Sequence, residues 1–161
     1  MARCVVTGCA GFIGSTLVDA LLADGHDVVG VDAFTPYYDE ADKRANLAAA
    51  LDHGGFSLVE ADLRDGDLHG LVDGADAVLH LAAQPGVRRS WADGFADYVG
   101  HNVLATQRLL EAVVQVRSPV RLVYASSSSV YGQAEGHPTA EDALPRPHSP
   151  YGVTKLAGEH L

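Results

Sequence analysis

Two residues near the end of the chain, Tyr151 and Lys155, have the types and spacing for proton transfer. On a helix, residues four apart share one face and lie one turn from each other. A free tyrosine titrates near ~10 and is a poor base at neutral pH. A neighbouring ammonium favours the phenolate, so the pair could accept a proton from a hydroxyl. Alone, such a pair is common in any helix, and its weight depends on the residues around it. Upstream stand four consecutive serines, Ser126, Ser127, Ser128 and Ser129, directly after an apolar run.

At the other end of the chain, Thr7-Gly8-Cys9-Ala10-Gly11-Phe12-Ile13-Gly14 follows a strand pattern and opens a helix pattern. In such a turn the first glycine permits the tight bend. The second lets a pyrophosphate approach the backbone, and the third lets helix and strand pack closely. The helix start offers free N–H groups and the positive end of a dipole to the phosphates. Gly8, Gly11, Phe12, Ile13 and Gly14 are therefore expected at a dinucleotide. Asp32 closes the second strand at the distance expected of a ribose-binding acid. A carboxylate there accepts from both ribose hydroxyls and repels a 2′-phosphate. Ala33, Phe34 and Thr35 supply no arginine to offset that repulsion, so NAD is favoured over NADP.

The elements that would position these residues alternate along the chain. Apolar, β-branched runs at 3–7, 27–31, 56–60, 77–80 and 120–126 are separated by amphipathic segments at 13–22, 43–51, 68–71 and 98–116. Continuous apolar strands between helices predict an α/β fold, a doubly wound parallel sheet of about five strands covered on both faces. The polar, proline-rich stretch 132–150 reads as a surface loop. Ser149 and Pro150 then suit the N-cap and first turn of a last helix.

The 161 residues suit one domain with a single core. A formal charge of −10 argues against nucleic acid, which needs a basic stripe, and a basic membrane-binding face is equally absent. Cys4 and Cys9 fall in one strand-turn segment, where a disulfide would distort the backbone. Reduced thiols in a cytoplasmic protein are the expectation. Cys9 lies near a helix N-terminus that could lower its pKa, although a small packing residue is the simpler reading. The eight histidines are scattered without ligand spacing, so no metal is expected. His80, at a strand end, reads as structural.

Together these segments resemble the extended short-chain dehydrogenase/reductases, specifically the NAD-dependent epimerase/dehydratase group. The resemblance covers the whole chain. It rests on TGCAGFIG at 7–14, Asp62-Leu63, HLAA at 80–83, SSSSVYG at 126–132 and Tyr151-Gly-Val-Thr-Lys155, in that order. It implies a Rossmann fold in which Asp62 and Leu63 lie near the adenine and Leu81, Ala82 and Ala83 line the cofactor groove. It implies Asn102 near the nicotinamide and Lys155 on the nicotinamide ribose. Tyr151 would take the proton of a sugar hydroxyl while the adjoining carbon gives hydride to the cofactor. Ser127 matches the tyrosine's hydroxyl partner. Ser128 and Ser129 stand where the sugar 4,6-dehydratases of the group carry an Asp-Glu pair, which disfavours dehydration.

The segment from Asp32 to Asp39 with Lys43-Arg44, and the loop Ala82-Ala-Gln-Pro-Gly-Val-Arg88, are similar to UDP-glucuronate 4-epimerases. Arg88 and Arg89 could meet a phosphate or carboxylate, or stand solvated in their loop. The resemblance thus implies a UDP-hexose or UDP-glucuronate 4-epimerase working through a transient 4-keto sugar. Ser127, Ser128, Ser129 and Arg88 would be toward the substrate. UDP-glucuronate decarboxylation begins with the same oxidation and stays open. The chain stops at Leu161, about three turns into its last helix, so residues 1–161 read as an NAD-binding domain cut short. Whole members continue with a substrate subdomain and pair as homodimers. A cofactor-binding fragment without turnover is the alternative of a different class.

Overall fold

The computed structural model describes residues 1–133 and 138–161. Strands β1 (Arg3–Thr7), β2 (Asp27–Asp32), β3 (Phe56–Glu60), β4 (Ala77–His80) and β5 (Arg121–Tyr124) form one sheet in the order β3-β2-β1-β4-β5. Every pairing is parallel, and Val5 of β1 stands in register with Val29 on one side and Val78 on the other. The strand order turns back between β1 and β4, which is the switch point where open α/β sheets bind ligands.

Branched apolar residues make the centre of this sheet. Val5, Val6, Val28, Val31 and Val78 are at most 1% exposed. Burying a valine or leucine completely contributes about 1.5–3 kcal/mol. Helix α1 (Phe12–Ala23) adds Val18 and Leu22 to the same core, joined by Leu47 and Ala50. The outer strands differ from the expected burial on both faces: Val59 of β3 is 38% exposed and Val123 of β5 is 52% exposed. Each is an edge strand, with a neighbour on one side only.

The remaining helices are α2 (Glu40–Asn46), α3 (Ala48–Leu51), α4 (Leu68–Val72), α5 (Phe95–Tyr98), α6 (Ala105–Gln115) and α7 (Pro150–His160). The single helix predicted over 43–51 is two. Asp39 caps the first by accepting from Ala41 N–H, and the backbone breaks at Leu47, which turns into the core at 1% exposure. The helix predicted over 98–116 is α5, a π-helical stretch Val99–Leu104, and α6. Helix α7 begins as expected, with Ser149 Oγ accepting from Gly152 N–H and Pro150 in its first turn. The loop predicted over 132–150 includes residues 134–137, which lie outside the described residues; its described part holds no strand or helix before α7. No helix among the described residues is long and apolar enough to cross a membrane.

The chain divides into two compact units. The first, Met1–Ala82 with Arg108–Ala125, carries the sheet, α1 to α4 and most of α6. The second, Ala83–Gln107 with Ser126–Leu161, carries α5, the π-helical stretch and α7.

Candidate active site

In the first unit the glycine turn is held from several sides. Gly8 N–H and Cys9 N–H both donate to Val31 O, at 2.7 and 3.2 Å. Gly8 takes φ +71°, and a Cβ there would lie 2.8 Å from Ala82 N, so both conformation and space demand glycine. A Cβ on Gly14 would meet Gly8 O at 2.1 Å, which is the close helix-to-strand approach expected of the third glycine. Gly11 is different: its Cβ would meet only Gly8 O, at 3.3 Å. It is the N-cap of α1 and has no side chain to satisfy the helix's first N–H groups. Beside it Phe12 and Ile13 are 83% and 66% exposed.

Asp32 closes the turn from β2. Its Oδ2 accepts from Ala10 N–H at 3.1 Å and its Oδ1 from Phe34 N–H at 2.8 Å. Each oxygen keeps a lone pair for another donor. The carboxylate is buried beside Lys43, whose ammonium donates to Thr35 O at 2.9 Å. Tyr38 Oη and Asn46 Nδ2 both donate to Ala10 O, at 3.2 and 3.0 Å. Lys43, Tyr38 and Asn46 thus brace the turn, a role that their placement in a charged, polar segment does not reveal. Thr7 is a further brace: Oγ1 lies 2.7 Å from His80 Nδ1 and accepts from Ala82 N–H at 3.1 Å.

Cys9 is fully buried, and burial, then the charge of Asp32, pushes its thiol up to about 12. The lowering that the helix terminus could give is outweighed, because the cost of desolvating a thiolate there exceeds what the backbone N–H groups return. Cys4 and Cys9 are both free. Asp62 is engaged by Arg64, with Nη2 to Oδ2 at 2.7 Å, and the buried Leu63 presents its carbonyl to Arg108 Nη1 at 2.7 Å. Leu81 and Ala82 are half-buried at the end of β4.

In the second unit, Tyr151 and Lys155 lie on α7 as predicted. Tyr151 is half-buried, its ring edge-on to Tyr98 at 6.1 Å between centroids. Tyr98 is itself fixed, its hydroxyl 2.9 and 2.6 Å from the carbonyls of Pro85 and Gly86. Lys155 is 3% exposed, and burial lowers its ammonium to about 8 against a smaller opposing effect of Glu159. Ser127 caps a 3₁₀ turn, Ser128–Val130, by accepting from Ser129 N–H at 3.1 Å. The turn presses on α7 so closely that a Cβ on Gly152 would lie 2.6 Å from Ser129 O. Ser127 and Ser129 are half-buried and Ser128 is exposed.

Asn102, from the π-helical stretch, spends its carboxamide inside this unit. It accepts from Gln84 N–H at 2.7 Å and donates to Gln84 O at 3.1 Å and Thr154 Oγ1 at 3.0 Å. It therefore ties the loop after Ala83 to the helix of Tyr151 and Lys155. Arg88 and Arg89 are exposed on a short 3₁₀ turn, Arg88–Ser90.

The chain matches, over residues 5–161, the model of a family described as GDP-mannose 4,6 dehydratase. The chain belongs to that family. Similar chains include an uncharacterized UDP-glucose epimerase of Bacillus subtilis, 46% identical over 160 residues, covering 99% of this chain and 50% of that one. A UDP-glucose 4-epimerase of Mycolicibacterium smegmatis is 45% identical over 160 residues, covering 98% of this chain and 49% of its own. The crystal structure of a UDP-glucuronic acid 4-epimerase from Bacillus cereus, in complex with UDP-glucuronic acid and NAD, superposes with a TM-score of 0.93 at 44% identity. It covers 98% of this chain and 50% of that one. The chain thus spans about half the length of these relatives.

Proposed function

We propose that residues 1–161 are the NAD-binding domain of a nucleotide-sugar 4-epimerase acting on a UDP-hexose or UDP-glucuronate. The observation that carries this reading is Lys155, 3% exposed and one helical turn beyond Tyr151. An ammonium in that place favours the phenolate and gives the helix a base for a sugar hydroxyl.

The first unit suits the cofactor. The uncapped start of α1, the glycines that let a ligand reach the backbone, and the buried carboxylate of Asp32 match pyrophosphate and ribose respectively. Gly8, Gly11, Phe12, Ile13, Gly14, Asp32, Asp62, Leu63, Leu81, Ala82, Ala83, Tyr151 and Lys155 are the residues proposed to hold it, while Asn102, whose carboxamide is spent on Gln84 and Thr154, acts by positioning their loop and helix. When bound, NAD supplies reversible hydride acceptance at the sugar carbon. Tyr151 moves the proton of the 4-hydroxyl, Lys155 keeps the phenolate available, and Ser127 orients the reacting oxygen. Ser128, Ser129 and Arg88 are assigned to the substrate side.

Although the family takes its description from a 4,6 dehydratase, elimination of water needs an acid and a base. Ser128 and Ser129 supply neither. The epimerase names of the two curated relatives support the same choice. On this reading the whole protein is a cytoplasmic homodimer.

Calorimetric titration with NAD and NADP, with Asp32→Ala as control and melting followed alongside, tests the cofactor. NAD-selective binding lost in the variant is expected, and equal affinity for the two cofactors would sink the assignment. UDP-glucose and UDP-glucuronate then serve as substrates, with products read by proton NMR. Inversion at C4 supports the epimerase, release of carbon dioxide indicates a decarboxylase, and NAD binding without product marks a cofactor-binding module.

A further inference from the structure

Glu159 lies one turn beyond Lys155 on α7, and Ser126 Oγ donates a hydrogen bond to its Oε1. Neither residue belongs to the proposed catalytic set. An exposed carboxylate four residues after a lysine is a weak partner by itself, since this order of charges is the less favourable one on a helix. A free glutamate side chain also spends much of its time in other rotamers. The hydroxyl of Ser126 removes that freedom.

We propose that Glu159, one helical turn beyond Lys155 and latched by Ser126, is a positioning residue whose carboxylate is held where it supports the buried ammonium on the face shared with Tyr151. The proposal rests on the reading of Lys155 as a working residue of the site. Burial opposes the charged form, while the field of Glu159 supports it. Among the described residues, the titratable groups packed around α7 are Asp97 and Tyr98 from α5, His101 from the π-helical stretch and His148 in the segment leading into the helix, with none on the Ser128–Val130 turn. Tyr98 is committed to the carbonyls of Pro85 and Gly86, and Tyr151 and His160 share the helix itself. The first serine of the run thereby has a task distinct from that of Ser127, which caps the neighbouring turn.

The chain has two lysines, Lys43 and Lys155, so the Cε signals of ¹³C-lysine-labelled protein can be assigned with Lys43→Arg and titrated directly. Glu159→Gln is expected to lower the Lys155 midpoint by about one pH unit, and Ser126→Ala to lower it by about half as much. Midpoints unchanged in both variants overturn the proposal. So does a shift in Glu159→Gln alone, which would leave Ser126 without the latching role. If Glu159→Gln does not fold, Ser126→Ala decides. NAD titration of the unsubstituted protein is run in parallel. Failure to bind removes the cofactor reading, whereas the lysine midpoints still report on the Ser126–Glu159–Lys155 arrangement.

Discussion

The Lys43 ammonium lies 3.8 Å from Asp32 Oδ1, with the two side chains 7% and 9% exposed. Removing one member of a buried ion pair leaves the other charge uncompensated, at a cost of about 3 kcal/mol. Asp32→Ala is therefore expected to lower stability by about that amount, in addition to the loss of NAD affinity that the proposed function predicts. Asp32→Ala/Lys43→Met should recover only the charge part of the loss, because Ala10 and Phe34 N–H still lose their acceptor. Urea denaturation of the two single variants and the double closes the cycle. Additive single effects would show that the pair is not coupled.

The glycine turn separates a folding glycine from a binding one. Gly14→Ala forces a methyl to 2.1 Å from the backbone oxygen of Gly8, an atom with no rotamer by which to escape. A loss of about 3 kcal/mol is expected. Gly11→Ala has φ −73° and a 3.3 Å neighbour, so it should fold with a loss of under about 1 kcal/mol. Its methyl nevertheless fills the space in which a pyrophosphate would approach the backbone. Melting temperature and NAD affinity should therefore part company: stability falls in Gly14→Ala, and affinity alone falls in Gly11→Ala. An unchanged NAD affinity in Gly11→Ala would count against the pyrophosphate assignment.

These contrasts follow what was legible in the sequence. The strands, the glycine turn and the Ser149–Pro150 helix start depend on local rules, namely branched apolar runs, a bend that only glycine fits and a side-chain cap. The break at Leu47 depends on the core drawing one leucine inward, which a run of good helix formers conceals. The π-helical stretch is similarly hidden, since apolar spacing does not register one widened turn, yet that stretch carries Asn102 to both Gln84 and Thr154. Lys43 opens a segment legible only as amphipathic, and it is the fold that buries it against Asp32. Glu159 and Ser126 are 33 residues apart, beyond any local pattern.

Thr7 joins β1 to the end of β4 through one hydroxyl. Thr7→Val would keep the shape and leave His80 Nδ1 and Ala82 N–H without the partner each has now. Thr7 and His80 are 0% and 1% exposed, so water is a poor substitute. A loss of about 1–3 kcal/mol is expected, with most of it restored in Thr7→Ser, which keeps the hydroxyl. Denaturant midpoints distinguish the two. Equal losses in both variants would assign the effect to the methyl group instead.

Lys155 gives the sheet's companion unit a pH dependence whose sign can be worked out. Folding lowers its pKa from 10.5 to about 8, chiefly through burial. Between those values the unfolded chain holds more protons than the folded one, so stability rises with pH through this window. Below about 8 both states are protonated, and the full cost of burying the charge, about 3 kcal/mol, is present. Lys155→Met is accordingly expected to raise stability at pH 7 by up to about 3 kcal/mol, with the gain disappearing above pH 10.5. Urea denaturation at the two pH values, without cofactor, measures it. A loss of stability at both would mean that the contacts of the ammonium outweigh its desolvation. A gain at pH 7 accompanied by weaker NAD binding would identify the buried charge as one that the fold tolerates for the sake of the cofactor.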